Sequence, residues 1–96
     1  MQILAIEREL REIDSVKQRV VLREEAAAVW ALRKREVVRE IWFTRADTRA
    51  VVLLECADEE EAMRHLSALP LVRDGFIAFE VHGLRPYDGL DRLVAP

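Results

Sequence analysis

Proton transfer is the chemistry for which this chain offers candidate residues, and Glu25 is the first of them. In a helix with about 100° of rotation per residue, Glu25 lies among the apolar side chains of Leu22, Val29 and Leu32. An apolar setting raises the pKa of a carboxyl group, which suits a base that works near neutral pH. Glu25 is therefore our candidate general base. The competing interpretation is an ordinary charged helix surface shared with Glu24.

Glu40 and His82 are two further candidates for acid or base catalysis. Glu40 alternates with Val38 and Trp42 along a predicted strand, so we expect it to point where apolar side chains point. His82 ends the last predicted strand on the same side as Glu80, and histidine exchanges protons near neutral pH without any shift. The alternatives are a Glu40 that faces solvent and a structural histidine at a strand end.

Several residues are candidates for holding a substrate. Arg39 is a candidate anchor for a substrate carboxylate, which a guanidinium binds through two hydrogen bonds. Trp30, Trp42 and Phe43 are candidates to wall a ring-binding cavity. His65 flanks the apolar stripe of the second predicted helix and is a candidate lining residue. Against these roles stand a surface position for Arg39 and core packing for the aromatic residues.

Motifs for nucleotide and metal chemistry are missing from the sequence. It contains no phosphate-binding GxxxxGK[ST], no dinucleotide-binding GxGxxG and no zinc-binding HExxH. Two histidines are too few for a His-rich metal site unless carboxylates complete it. Cys56 is the single cysteine, so it forms no disulfide within the chain, and its apolar strand favours inert packing over catalysis. We therefore expect neither a cofactor nor a metal.

Composition restricts the partners of the chain. Hydrophobic residues make up 51% and charged residues 34% of its 96 residues, which suits one globular domain over residues 1–96. A net charge of -3 argues against nucleic-acid binding. The longest apolar run, at residues 26–32, is far shorter than the roughly 20 residues that span a bilayer. With no leader pattern at the start, we expect a cytoplasmic protein without membrane contact.

Hydrophobic periodicity predicts the order β-α-β-β-α-β. The predicted strands are residues 2–6, 37–43, 50–56 and 76–81. The first helix begins at Asp14 or Ser15 and ends near Arg35, and the second is capped by Asp58 and ended by Pro70. A loop is expected at residues 72–75. This pattern is the α+β, ferredoxin-like fold with a four-stranded antiparallel sheet, whose usual strand order is 4-1-3-2.

The predicted sheet has more apolar surface than two helices cover. Residues 50–54 are apolar on both faces, whereas both helices lie on one side of such a sheet. The second face needs a cover, and the sheet of a second copy is the simplest one. We therefore expect a homodimer in which two sheets enclose a barrel interior.

Three segments carry a resemblance to a known family. HLSALPL at residues 65–71, FEVHGL at 79–84 and REIW at 39–42 resemble the muconolactone Δ-isomerase family. The resemblance implies a cofactor-free dimeric α/β barrel, with higher rings of dimers, and an enzyme that moves a proton to shift a double bond in a small lactone. It also implies an acidic residue at the helix turn of Glu25. Glu36 departs from the family, which often has glycine at the end of the first helix.

Three functions remain open at the level of the sequence. The first is muconolactone-isomerase-like proton transfer on a small lactone or oxygenated ring. The second is a cofactor-free oxygenase or polyketide-type cyclase of secondary metabolism with the same fold. The third is a non-catalytic dimer that binds a small ligand or another protein. Fold alone does not choose among them, because one fold hosts many functions.

Overall fold

The computed structural model describes residues 1–94 and contains one four-stranded antiparallel sheet, whose strands, numbered along the chain, lie in the order 2-3-1-4. This is the predicted order, and the α+β, ferredoxin-like fold is confirmed. No helix within the described residues is long and apolar enough to cross a membrane. The elements in chain order are β1 (Gln2–Glu9), α1 (Ser15–Lys34), β2 (Val38–Phe43), β3 (Ala50–Glu55), α2 (Glu59–Ser67), α3 (Pro70–Arg73) and β4 (Ile77–Gly83).

Both long helices begin at the predicted caps. The Asp14 carboxylate accepts the backbone N–H of Val16 at 2.8 Å, and the Asp58 carboxylate accepts that of Glu61 at 2.8 Å. Each bond satisfies an N–H that has no partner inside its helix. After α1 the chain turns at Glu36, which has a left-handed φ of 63°. Glycine adopts that conformation without strain, so Glu36 occupies a position that favours glycine.

The predicted loop at residues 72–75 is correct only in its second half, because a short helix occupies residues 72–73 and a turn occupies residues 74–75. α2 ends at Ser67, and Pro70 then opens α3 instead of only ending the helix before it. Proline suits the first position of a helix, where its missing N–H has no intrahelical partner to lose. The first and last predicted strands are also longer in the structure, since β1 continues to Glu9 and β4 to Gly83.

The helices cover one side of the sheet, and the hydrophobic core lies between the helices and the sheet. Ile3, Leu54 and Leu66 are the largest fully buried side chains. The other side of the sheet, which we call the open face, is uncovered in the single chain. Its apolar members are only half-buried or exposed: Leu4, Ile6, Trp42, Val51 and Leu53. The predicted double-sided apolarity of the third strand is therefore confirmed.

A β-bulge in β2 changes which side its residues face. Val38 pairs with Leu54, whereas Glu40 pairs with Leu53, so the register shifts by one residue at Arg39. Leu54 faces the helices and Leu53 lies on the open face. Glu40 therefore lies opposite to Val38, which corrects the prediction that the two share a strand side. The extra residue of a bulge reverses the alternation of side chains beyond it.

The C-terminal tail extends away from the sheet. The backbone N–H of Leu84 still bonds the carbonyl of Gln2 at 2.9 Å, but residues 85–94 form hydrogen bonds only among themselves within the described chain. A short 3-10 helix occupies Gly89–Leu93. Tyr87 before it is 77% exposed, and the longest extent of the molecule is 63 Å against 29 and 19 Å for the others.

Candidate functional site

A cavity of about 540 Å³ lies between α1 and the helix side of the sheet. Its volume suits a small ring compound. Most of its wall is apolar, and α1, α3 and all four strands contribute side chains. The apolar wall includes Leu22, Val29, Ile41, Phe43, Val52 and Phe79.

Glu25 reaches this cavity from α1, as the helical periodicity predicts. The side chain is half-buried, and its Oε1 accepts the backbone N–H of Leu71 at 2.9 Å. Burial raises the pKa of Glu25 above its usual value, and the negative charge of Glu7 raises it further, while the Leu71 hydrogen bond opposes the rise. The result is a carboxyl group that takes up a proton more readily than one in water.

Glu7 and Glu9 also line the cavity, and the sequence analysis missed both. Neither was considered a candidate, because the first strand was expected to end at Ile6. In the structure β1 continues to Glu9, and its odd-numbered residues, from Ile3 onward, all face the helices. The Glu7 Oε1 accepts the backbone N–H of Ala50 at 3.1 Å. Continued alternation beyond Ala5 was the signal that could have identified them.

Arg11 adds a cation to the cavity wall and was likewise missed. Its guanidinium lies over the ring of Phe76, 4.0 Å from the ring centroid, and its Nη2 donates to the carbonyl oxygen of Asp74 at 2.7 Å. These two contacts fix the side chain in place. No local pattern in the sequence signals this role, because Arg11 and Phe76 are distant along the chain.

Glu40 and His82 lie on the open face, on the opposite side of the sheet from Glu25. The bulge in β2 places Glu40 there. His82 contacts Glu80, its Nε2 lying 3.1 Å from Oε1, as their shared strand side predicts. The structure therefore does not bring Glu40 or His82 together with Glu25 in one site of the single chain.

Four of the five predicted substrate-holding residues also lie outside the cavity, and Phe43 is the exception. Arg39 Nε donates to the carbonyl oxygen of Glu36 at 2.6 Å, so it supports the turn after α1. Trp30 is 58% exposed, with the Lys34 ammonium 5.9 Å from its ring centroid, and Trp42 is 50% exposed on the open face. His65 Nε2 lies 3.8 Å from Glu61 Oε1 on α2. Of the predicted aromatic walls, Phe43 alone lines the cavity.

Neither Cys56 nor a cluster of metal-ligating residue types indicates a further site within the described residues. Cys56 is a free, buried thiol, and burial raises its pKa, which suits packing. No cluster of three or more histidine, cysteine, aspartate or glutamate residues suited to a metal ion occurs within residues 1–94.

Comparison with solved structures identifies relatives of the fold. A crystal structure of muconolactone isomerase superimposes with a TM-score of 0.77 and 19% sequence identity, covering 92% of this chain and 92% of that chain. The chain has the fold of muconolactone isomerase. A 5-chloro-2-hydroxyhydroquinone dehydrochlorinase from Burkholderia phenoliruptrix AC1100, in complex with 2,5-dihydroxybenzoquinone, superimposes with a TM-score of 0.61 and 15% identity. That match covers 91% of this chain and 97% of the dehydrochlorinase. No protein-family model and no curated protein matches the sequence.

The resemblance to muconolactone isomerase is thus confirmed at the level of fold. Part of its motifs serves packing: Leu66, Leu69, Pro70 and Leu71 are buried where α2 meets α3. The motifs fix the architecture around the cavity, and the function must be argued from the side chains inside it.

Proposed function

We propose that the chain catalyses cofactor-free proton transfer that isomerises a small lactone or oxygenated ring, with Glu25 as the general base. The observation that carries the proposal is the half-buried Glu25 carboxyl group in a largely apolar cavity of about 540 Å³. Its raised pKa brings its basicity closer to what proton abstraction near neutral pH requires. The muconolactone isomerase fold around this cavity supports the same reaction class.

The reaction moves one proton and leaves the atoms of the substrate otherwise unchanged. The Glu25 carboxylate takes the proton from the carbon next to the ring carbonyl, and the electron pair of that C–H bond forms the dienolate. Guanidinium N–H groups of Arg11 are the charged donors available for the developing enolate oxygen. Glu25 then returns its proton to the far carbon of the dienolate, so the double bond moves into conjugation with the carbonyl.

The test uses α-angelica lactone, an uncharged five-membered lactone whose conjugation with the carbonyl appears as ultraviolet absorbance. We expect the wild-type chain to catalyse the shift to the β isomer and Glu25→Gln to lose at least about a hundredfold of that rate. Glu24→Gln is the matched control, because Glu24 is adjacent, exposed and outside the cavity. Wild-type turnover in Glu25→Gln would refute Glu25 as the base.

A second candidate function, non-catalytic binding of a small ligand, is favoured by the Leu71 hydrogen bond. One oxygen of Glu25 is already occupied by a backbone N–H of α3, so the carboxyl group also has a structural role. In a binding protein, Glu25→Gln would keep ligand affinity and no isomerisation would be measurable in the wild type. The angelica lactone assay therefore separates the two candidates.

We also propose a cytoplasmic homodimer joined through the open face. The support is the uncovered apolar surface of Leu4, Ile6, Val51 and Leu53, which a second sheet would bury. The projecting tail at residues 85–94 suits contact with a partner subunit, because it forms few bonds with its own chain. A single free, buried Cys56 is compatible with a reducing compartment.

A further inference from the structure

We infer that the cavity selects uncharged, hydroxylated ring compounds and discriminates against rings that carry a carboxylate. The inference rests on the proposed function in taking this cavity as the substrate site. It goes further by naming the substrate class, which follows from the charges and the hydrogen-bond acceptors of the wall.

The charged residues of the cavity wall are predominantly acidic. Within the described chain, Glu7, Glu9 and Glu25 line the cavity together with one cation, Arg11. Three carboxyl groups against one guanidinium leave the wall negative even when Glu25 holds a proton. A ligand carboxylate would add a further negative charge next to the half-buried Glu7 and Glu25, and like charges repel each other.

Arg11 is only partly available to compensate a ligand anion. One terminal nitrogen donates to the Asp74 carbonyl oxygen, and one face of the guanidinium lies against Phe76. Its remaining N–H groups suit a carbonyl or enolate oxygen, which needs one donor. An uncharged substrate meets that need without extra charge, because proton transfer to Glu25 only moves a negative charge from Glu25 to the substrate.

Glu7 and Glu25 offer hydrogen-bond acceptors on opposite walls of the cavity. In each residue Oε1 accepts a backbone N–H, from Ala50 and from Leu71 respectively. The second oxygen of each accepts no hydrogen bond within the described residues, and neither is a buried, unpartnered atom. Hydroxyl groups on a ring donate to such acceptors, whereas an ionised carboxylate has no proton to donate.

The charges and the acceptors therefore point to the same ligand class. Hydroxylated rings are attracted because their hydroxyl groups donate to Glu7 and Glu25. Ring carboxylates are repelled because the cavity wall has a net negative charge. Glu7 contributes to both effects, so it is the specificity-determining residue of this inference.

The test compares two probes of similar shape, 4-hydroxybenzyl alcohol and 4-hydroxybenzoate, by titration calorimetry near neutral pH. We expect the alcohol to bind at least about tenfold more tightly than the benzoate. Glu7→Gln should reduce the ratio of the two dissociation constants. Glu12→Gln should leave that ratio unchanged, because Glu12 is exposed and lies outside the cavity. Equal or tighter binding of the benzoate, or no binding of the alcohol, would overturn the inference.

Two further measurements keep the result interpretable. If Glu7→Gln fails to fold, a salt titration of the wild type takes the place of the variant. Salt screens the repulsion between the cavity wall and the benzoate, so it should tighten benzoate binding and leave alcohol binding unchanged. An unchanged benzoate affinity would then contradict the inference. Binding selectivity without isomerisation of α-angelica lactone would refute the proposed function alone, and isomerisation without selectivity would refute this inference alone.

Discussion

The carboxyl group of Glu25 accepts the backbone N–H of Leu71 at 2.9 Å, which ties the middle of α1 to the first turn of α3. Two opposing effects act on this group. The hydrogen bond stabilises the charged form and lowers the pKa, whereas burial destabilises the charged form and raises it. Burial is the larger effect, so the pKa of Glu25 is raised in the folded protein. Protonation of Glu25 is therefore linked to the stability of the fold and, in the proposed reaction, to turnover.

The first prediction concerns stability against pH. Because the pKa of Glu25 is raised from its ordinary value of 4.5, the native chain binds more protons than the unfolded chain just above that value. The contribution of Glu25 to the free energy of unfolding therefore falls as pH rises through this window. Glu25→Gln keeps an oxygen for the Leu71 N–H but does not titrate. The stability of the wild type relative to Glu25→Gln should decrease from acid toward neutral pH.

Urea unfolding of both proteins at several pH values measures this difference. Glu24→Gln is the control, since Glu24 is exposed and should give a profile parallel to that of the wild type. A stability difference between wild type and Glu25→Gln that stays constant with pH would show that the pKa of Glu25 is not raised by folding.

The second prediction concerns the pH dependence of turnover. The proposed base must be deprotonated, so kcat/KM for α-angelica lactone should rise with pH as Glu25 loses its proton, with a midpoint above 4.5. The charge of Glu7 contributes to the raised pKa, so Glu7→Gln should move the midpoint to lower pH. If the variant is folded by circular dichroism and the midpoint does not move, the charge of Glu7 does not affect the titration of Glu25.

Local patterns in the sequence were sufficient to predict the architecture and the side of α1 on which Glu25 lies. Asp14 and Asp58 cap their helices because capping depends on residues only a few positions apart. Glu25 lies on the cavity side of α1 because helical periodicity fixes its direction relative to Leu22 and Val29. Both inferences required no knowledge of contacts between distant parts of the chain.

The remainder of the site depends on such distant contacts. Glu40 was expected to share a strand side with both Val38 and Trp42, but it shares one with Trp42 alone, because a bulge visible only in the pairing with β3 separates it from Val38. Arg11 is held in the site by its contacts with Phe76 and Asp74, which lie more than 60 positions away along the chain. Glu7 was missed because a charged residue was taken to end β1, whereas the cavity allows a carboxyl group on the buried side.

The third prediction uses the left-handed turn after α1. Glu36 has a φ of 63°, which is strained for a residue with a side chain, so Glu36→Gly should stabilise the protein by about 0.5–1 kcal/mol. Arg35→Gly is the control, since Arg35 has a φ of -84° and glycine there should not stabilise. Thermal unfolding of the three proteins measures the effect. A lower midpoint for Glu36→Gly would show that contacts of the Glu36 side chain outweigh the backbone strain.

The last prediction tests the proposed dimer with two tryptophans of similar exposure. Trp42 lies on the open face beside Val51, whereas Trp30 lies on α1, and they are 50% and 58% exposed in the single chain. A buried tryptophan at an interface often contributes about 2 kcal/mol or more, so Trp42→Ala should weaken dimerisation on the order of thirtyfold. Trp30→Ala should leave it unchanged. Sedimentation equilibrium of the three proteins measures the dissociation constants. A monomeric wild type, or an equal loss in both variants, would refute assembly through the open face.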